Sequence, residues 1–339
     1  MTVLAPDIVQ PISFPSFVPR APWWGGHLQT IANVFPPQVA ELDQYPRSHL
    51  TAPVPDGTGD RLVGTLHCPV VRTRTKPVVI LIHGVGGSEE SGYMLSSAAF
   101  FLELGYPVLR CNLRGAGPSR PLCKRQYHAG ASEDLAQFIG RLPPTLAAHG
   151  VVAIGYSLGG NILLKFLGER GARAPIRGAV TVSSPLDLEA AARQMNRWDN
   201  ALYHASILAR LKSDSVKPSS DVTAKERLTI ARARTLWQFD DSFTAPRNGF
   251  NGAADYYDRS TCWRFLEAIV APTLLTHALD DPLVPRASYL DFEWRRNQRL
   301  MPLLSRHGGH VGFHGLDRRV CWHDLCAAQF IEALPDLIR

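Results

Sequence analysis

Short apolar runs alternate with amphipathic stretches along most of the chain. Runs bounded by Gly, Pro or polar turns occur at 76–84, 106–115, 151–157, 178–185, 271–281 and 299–309. Such runs are typical of strands that are buried on both faces. Helical spacing of apolar residues occurs at 91–105, 130–142, 158–170 and roughly 320–337. The alternation predicts an α/β fold in which helices flank both faces of a mostly parallel sheet.

Two segments depart from this alternation. Residues 1–45 are rich in Pro and aromatic residues and have no clear periodicity, so we expect an extended N-terminal arm over the body. Between Leu186 and Tyr257 the chain has helix-like stretches and no buried-strand pattern. A structureless loop of that length is uncommon in a compact domain. We therefore predict one domain over residues 46–339 with a helical cap over about 186–257.

The stretch GYSLGG (155–160) joins a predicted strand to a predicted helix. Its Gly155-x-Ser157-x-Gly159 spacing is typical of a sharp turn that exposes a nucleophile above the edge of a sheet. Small residues are needed two positions to either side, because the strand and helix backbones pass close together there. The N-terminus of the helix directs its N–H groups toward developing negative charge. Ser157 is therefore the predicted nucleophile.

A serine hydroxyl needs a base to become nucleophilic, and the base needs a carboxylate to orient it. In this architecture the acid and then the histidine follow the serine along the chain. HALDDPLVP (277–285) ends a predicted strand and carries two acidic residues. Asp281 is the better candidate and Asp280 the alternative. The remaining alternatives are Asp187, after the preceding strand, and Asp240 and Asp241 in the cap.

Three histidines lie close together in LSRHGGHVGFHG (303–314). They could form a metal site, a proton-transfer site or a histidine-rich turn. His310 follows a predicted strand, and the two glycines before it allow the loop to bring the imidazole to Ser157. A zinc site built from all three would leave the serine turn unexplained, and no HExxH pattern supports it. We therefore predict His310 as the base, with His307 and His314 as surface or loop-orienting residues and no metal.

An acyl-transfer site also needs backbone N–H groups that bind the oxyanion. Leu158, directly after the nucleophile, supplies one predicted donor. The loop HGVGG (83–87) follows the first apolar run, and its glycines allow the backbone to approach a substrate closely. Val85 is the predicted second donor, and His83 is expected to orient the loop.

Several further motifs accompany these residues in order. They are GGHLQTI (25–31), RGAGPSRP (114–121), YHAGASEDL (127–135), GYSLGGN (155–161), FDDSFTAPRNGF (239–250), ADYYDRS (254–260), DDP (280–282) and HGGHVGF (307–313). Together they resemble the α/β-hydrolase superfamily and, within it, the YheT-like branch (the AB-hydrolase 4 group), from about residue 20 to the C-terminus. The resemblance implies a charge-relay set of Ser157, Asp281 and His310. It also implies that FDDSFTAPRNGF and ADYYDRS belong to the cap and its return to the core.

Two local features have alternative interpretations. PWWGGHLQT (22–30) places Trp23, Trp24 and His27 beside two glycines, where they either line a substrate site or pack the N-terminal arm against the body. Arg114 lies on a loop at the edge of the sheet that carries the site. It either contacts a substrate carboxylate or forms a structural ion pair, and we favour the ion pair.

Composition narrows the function classes. The net charge is +6, but the Lys and Arg residues are scattered without interleaved aromatic residues, so we expect no nucleic-acid partner. The N-terminus does not resemble a signal peptide, and no apolar stretch approaches the roughly 20 residues of a transmembrane helix. The six cysteines form no CxxC pair, so we expect reduced thiols and a cytoplasmic location. Nothing in the sequence indicates the oligomeric state.

The sequence thus predicts a serine hydrolase that cleaves small-molecule acyl esters through an acyl-enzyme, without a cofactor. An acyltransferase with the same triad is an alternative, because an alcohol can replace water in the second step. A non-catalytic ligand receptor on the same fold is a further alternative, since such a protein can retain the triad.

Overall fold

In a computed structural model of the chain, the residues described are 2–3, 12–33, 42–70, 76–317 and 319–337. They form a nine-stranded sheet in the order β1-β9-β8-β7-β6-β4-β5-β3-β2. The strands are β1 (Thr2–Val3), β2 (Arg47–Pro53), β3 (Arg61–His67), β4 (Val78–Ile82), β5 (Val108–Cys111), β6 (Val151–Tyr156), β7 (Gly178–Val182), β8 (Thr273–Ala278) and β9 (Leu300–Ser305).

The six strands β4 to β9 pair in parallel, and each lies within one of the six predicted apolar runs. They are buried along their whole length, which explains why they are continuously apolar rather than alternating. The predicted α/β fold is confirmed. The pattern did not predict β2 and β3, which form an antiparallel hairpin at the edge beside β5. β2 is exposed at most positions, so it has no apolar run to detect.

Helices cover both faces of the sheet. They are α1 (Gly26–Ala32), α2 (Gly92–Glu103), α3 (Glu133–Ile139), α4 (Pro144–Ala147), α5 (Leu158–Arg170), α6 (Leu188–Met195), α7 (Ala201–Ser215), α8 (Ala224–Arg232), α9 (Leu236–Phe239), α10 (Ala245–Arg247), α11 (Ala253–Ser260), α12 (Ala287–Leu290) and α13 (Trp322–Leu337). Apolar residues of α3 and α5 pack on one face, and those of α2 and α13 pack on the other. No helix among the described residues is long and apolar enough to cross a membrane.

The chain between β7 and β8 is helical, with α6 to α11 and one π-helical turn at Asp240–Thr244. Part of it has an apolar cluster of its own, formed by Leu208, Ile230, Ala233, Phe239 and Phe243. A second cluster, which includes Ala129, Tyr256 and Tyr257, joins this region to the body. The strong amphipathicity of surface helices such as α6 explains why the sequence showed helix-like stretches here.

The predicted N-terminal arm lies partly outside the described residues, which omit 1, 4–11 and 34–41. Its described part packs on the body, where Phe17 contacts the rings of Phe313 and Trp322. It also contains the short helix α1, which the sequence did not predict. This helix has seven residues, too few for a periodic pattern to be distinguished.

Arg114 forms a structural ion-pair cluster. Its guanidinium contacts Asp134 at 2.6 Å and Asp56 at 2.5 Å, and Asp60 lies 3.7 Å away. Asp60 and Asp134 are buried, so without the guanidinium two carboxylates would lack their counter-charge. These contacts support the ion-pair interpretation of Arg114 over the substrate-binding one.

Replacing Arg114 is therefore expected to destabilise the fold. Removing one partner of a buried ion pair costs about 3 kcal/mol or more, because the other charge stays buried without compensation. We predict that Arg114→Met lowers the free energy of unfolding by about that amount, measured by urea denaturation. Arg264→Met is the matched control, because Arg264 and Asp258 are both more than half exposed, and it should change stability by less than about 0.5 kcal/mol. Equal losses in both variants would contradict the prediction.

Candidate active site

Ser157 occupies a strained turn between β6 and α5. Its φ of 50° and ψ of −122° lie in a region that non-glycine residues rarely adopt. The turn is possible because the backbones around it are unsubstituted: a Cβ on Gly155 would lie 2.6 Å from the carbonyl oxygen of Gly159. A Cβ on Gly84 would lie 3.0 Å from the Ser157 Cβ. This crowding is the physical reason for the glycines of the motif.

His310 lies in the loop after β9 and reaches Ser157. Its Nε2 is 2.9 Å from the Ser157 Oγ. The loop is held from three sides: the His310 N–H donates to Thr30 Oγ1, Asn33 Nδ2 donates to the His310 carbonyl, and the Val311 N–H donates to Ser183 Oγ. Thr30 and Asn33 belong to α1 and its C-terminal end, so the unpredicted helix positions the histidine loop.

Asp281 follows β8 and is the carboxylate that contacts His310. Its Oδ2 is 2.9 Å from His310 Nδ1, and its Oδ1 accepts the N–H groups of Leu283 and Val284. Burial favours the neutral acid, but the charge and hydrogen bond of His310 and these further bonds outweigh it, so the pKa of Asp281 is lowered. The carboxylate is thus ionised and rigidly held beside the imidazole.

The other acidic alternatives have different roles. Asp280 Oδ1 accepts the Gly309 N–H at 2.9 Å, and its Oδ2 is 3.2 Å from His307 Nδ1, so it braces the loop one residue before His310. Asp187 caps α6 by accepting the Ala190 N–H. In the cap, Asp241 accepts the Ala253 N–H and Asp240 accepts the Tyr257 hydroxyl.

The remaining two histidines of the cluster have partners of their own. His307 contacts Asp280 and is largely exposed, whereas His314 is buried with Nε2 3.0 Å from Asn33 Oδ1. Burial lowers the pKa of His314 to about 4.

Among the described residues, the group that could share a metal ion is Cys321, His323 and Asp324, at the start of α13 and not in this loop. There Asp324 accepts the Ser97 hydroxyl and raises the pKa of His323 to about 10 against the effect of burial.

The loop after β4 lies against Ser157. Gly84 and Gly86 donate their N–H groups to the hydroxyls of Tyr93 and Tyr127. In the described part of the chain, the N–H of Val85 between them has no hydrogen-bond acceptor, and Val85 lines the same cavity as Ser157. Leu158 is the first residue of α5, so its N–H has no acceptor within the helix. Within the described ranges, neither predicted oxyanion donor has an acceptor for its N–H, and both lie beside Ser157.

A cavity of about 490 Å³ lies between the sheet edge and the cap and includes Ser157 and His310. Its wall on the cap side is mainly apolar: Leu188, Met195, Ile207, Leu211, Leu236, Phe239 and Phe243. Asp240 also lines it, and burial raises the pKa of this carboxyl to about 6. Trp23, Trp24 and His27 are not among the lining residues within the described ranges. This part of the chain lines the cavity with Thr30 of α1 and with Asn33, which directly follows α1. His27 stacks on Tyr203 of the cap.

Sequence reasoning missed His277, which is buried in β8 four residues before Asp281. Its ring stacks on Tyr289 at 4.0 Å, and its Nδ1 lies 3.9 Å from Asp281 Oδ2. Burial lowers the pKa of His277 to about 4, so it stays neutral beside the carboxylate. A histidine inside a buried strand was the one available signal, and it could not be separated from ordinary core packing.

Comparison with known proteins identifies similar chains. The family model described as the α/β-hydrolase fold matches residues 77–315. The chain is 30% identical over 308 residues to the Escherichia coli (strain K12) protein YheT, which is named as an esterase, and covers 87% of that protein with 88% of its own length. It is 28% identical over 270 residues to phospholipase ABHD3 of Mus musculus, using 78% of this chain and 66% of that protein.

A solved structure shares the fold at low sequence identity. The esterase Pf2001 of Pyrococcus furiosus superposes with a TM-score of 0.55 at 16% identity, covering 95% of this chain and 98% of that chain. At this identity the likeness concerns the fold alone.

The geometry generates a prediction about reactivity. A fluorophosphonate probe is expected to label Ser157, because that hydroxyl has a base within hydrogen-bond distance. His310→Ala should slow labelling at least about 100-fold, since general-base assistance contributes that much or more. The site of labelling is read by peptide mass spectrometry. Ser206→Ala, at an exposed serine of α7, is the control and should leave the rate unchanged, and an adduct on a serine other than Ser157 would contradict the assignment.

Proposed function

Because this chain belongs to the α/β-hydrolase family, in its YheT-like branch, we propose that it hydrolyses acyl esters with a triad of Ser157, His310 and Asp281. It is a carboxylic-ester hydrolase of the esterase and lipase type. The observation that carries the triad is the continuous hydrogen-bonded chain from Ser157 Oγ through His310 to Asp281, with 2.9 Å at each link.

In the first half of the reaction, Ser157 Oγ attacks the ester carbonyl carbon and His310 Nε2 takes the hydroxyl proton. The tetrahedral intermediate then collapses, and the bond to the alcohol oxygen breaks. His310 gives its proton to that oxygen, so the alcohol leaves and the acyl group remains on Ser157. In the second half, water attacks the acyl carbonyl while His310 takes its proton. Collapse releases the carboxylic acid and returns the proton to Ser157.

Asp281 assists by orientation and charge. Its carboxylate accepts from His310 Nδ1, which leaves Nε2 free to act as the base toward Ser157. It also stabilises the imidazolium that forms in each half-reaction. Its lowered pKa keeps the Asp281 carboxylate ionised at neutral pH, so the bond that orients His310 is retained.

The oxyanion of each tetrahedral intermediate binds the Val85 and Leu158 N–H groups. This role is supported by their position beside Ser157 and by the absence of another acceptor for Val85 among the described residues. Such preorganised donors stabilise charge that develops in the transition state, and each contributes roughly a factor of 100 or more. No cofactor is needed for these steps.

The cavity supports a proposal about the substrate class. An apolar wall in a cavity of about 490 Å³ suits the acyl part of an ester, because it removes hydrocarbon surface from water. The Ser157 end supplies the polar contacts to the carbonyl group. We therefore propose a small-molecule acyl ester as the substrate.

An ester panel tests this function. We expect turnover of acyl esters of graded chain length, a loss of about 10⁴-fold or more in kcat for Ser157→Ala and His310→Ala, and little further loss in the double variant, because triad members act as a unit. EDTA should leave the rate unchanged, since the nucleophile is a side chain.

Addition of a competing alcohol separates the alternatives: acid as the main product supports hydrolysis, and a new ester supports acyl transfer. Tight binding without turnover would support the receptor alternative instead.

The two adjacent aspartates should differ in effect. Asp281→Asn is expected to lower kcat by about 10⁴-fold, because the amide favours the wrong imidazole tautomer. Asp280→Asn should lower kcat by less than about 10-fold, since Asp280 braces the Gly309 N–H and does not contact His310. Steady-state kinetics on one ester measures both. A reversed order would assign the orienting role to Asp280.

A further inference from the structure

Two tyrosine hydroxyls hold the residues on either side of Val85. The Gly84 N–H donates to Tyr93 at 3.0 Å, and the Gly86 N–H donates to Tyr127 at 2.7 Å. Tyr93 lies in the first turn of α2, whereas Tyr127 lies in the loop before α3. Residues 83–87, which we call the oxyanion loop, are thus held from two separate parts of the fold.

The Val85 N–H and the Gly84 carbonyl belong to the same peptide group, and this carbonyl is also held by hydrogen bonds. The Gly84 carbonyl oxygen is 2.7 Å from His83 Nδ1 and accepts the Gly87 N–H at 3.1 Å. A peptide group is planar and trans, so its N–H points opposite to its C=O. Fixing the Gly84 carbonyl therefore fixes the direction of the Val85 N–H, away from His83 and free of an acceptor within the described chain.

The loop cannot hold this geometry by backbone preference alone. Gly84, Gly86 and Gly87 have no side chain to restrict their dihedral angles, and Gly86 has a φ of 65°. A Cβ at Gly84 would meet Ser157, so the flexibility is a consequence of the close approach to the nucleophile. Contacts from outside the loop must supply the rigidity that the glycines remove.

We propose that Tyr93 and Tyr127 are positioning residues that hold the Val85 N–H in the oxyanion hole. This inference rests on the proposed function, because it assigns to the tyrosines a part in stabilising the same oxyanion. They act through the backbone of Gly84 and Gly86 and do not themselves bind the reacting atoms.

The chemistry of a phenol suits this role. Burial raises the pKa of both hydroxyls above the ordinary value for tyrosine, so both stay neutral near neutral pH. A neutral oxygen accepts an N–H without placing a negative charge beside the oxyanion, which a carboxylate in the same place would do. The rings are also held, with Tyr93 4.9 Å from Tyr156 and Tyr127 edge-on to His83 at 6.0 Å.

The experiment removes only the hydroxyl groups. Tyr93→Phe and Tyr127→Phe should each lower kcat about 10-fold, and the double variant about 100-fold, with KM changed less than about twofold. Affinity for a trifluoromethyl ketone, which forms an oxyanion adduct with Ser157, should fall by the same factors as kcat/KM, since both report oxyanion stabilisation. Tyr106→Phe is the matched control. Tyr106 is a buried tyrosine that follows α2 along the chain, and loss of its hydroxyl should leave kcat and ketone affinity unchanged.

The outcomes separate two hypotheses. If Tyr93→Phe and Tyr127→Phe lower the melting temperature while kcat and ketone affinity stay at wild-type values, the tyrosines only stabilise the fold and the inference is wrong. If ketone affinity is retained while kcat falls, they act elsewhere and the inference is again wrong. If Ser157→Ala itself retains full activity, the proposed function has failed, whatever the tyrosine variants do.

Discussion

The parallel alignment of β4, β6, β8 and β9, with β7 between β6 and β8, is the constraint on which the candidate site depends. Carboxyl ends of parallel strands meet at one edge of a sheet, so the loops that follow these four strands are brought together although more than 200 residues separate the first from the last. The oxyanion loop, Ser157, Asp281 and His310 each follow one of them. The antiparallel hairpin β2–β3 extends the sheet sideways beyond β5 and contributes no residue to the proposed triad.

The backbone segments around Ser157 approach one another closely, and this constrains the residues beside it. The positive φ of the serine requires unsubstituted neighbours, and the glycines that allow it leave the nearby segments without intrinsic rigidity. The fold restores rigidity with side-chain hydrogen bonds. Around the oxyanion loop these come from His83 within the loop and from Tyr93 and Tyr127 outside it. Around the loop that carries His310 they come from Thr30, Asn33 and Asp280. The strained backbone of Ser157 requires glycines nearby, and the hydrogen bonds from these side chains hold the flexible segments that the glycines create.

The cap gives this reactive edge an apolar enclosure. Its helices hold an internal apolar cluster and also present apolar side chains to the cavity above Ser157. In the proposed mechanism, apolar surroundings would strengthen the electrostatic interactions between His310, Asp281 and a developing oxyanion, because water screens them less. The same surroundings explain the raised pKa of Asp240, a carboxyl on the cavity wall that the proposed mechanism does not use.

The sequence by itself determined the strand and helix alternation and the position of the candidate nucleophile, because both depend on local patterns: continuous apolar runs, helical spacing, and glycines two residues either side of Ser157. It also limited the base and the acid to a few residues by their order along the chain. It could not detect α1, which is too short to be periodic, or β2, which is too exposed to show an apolar run.

Tertiary structure alone decided that Asp281 and not Asp280 contacts His310, because adjacent residues after a strand point in different directions that only packing fixes. The same holds for Thr30, Tyr93 and Tyr127: each acts through a hydrogen bond to backbone that is distant in sequence, and such bonds leave no pattern along the chain.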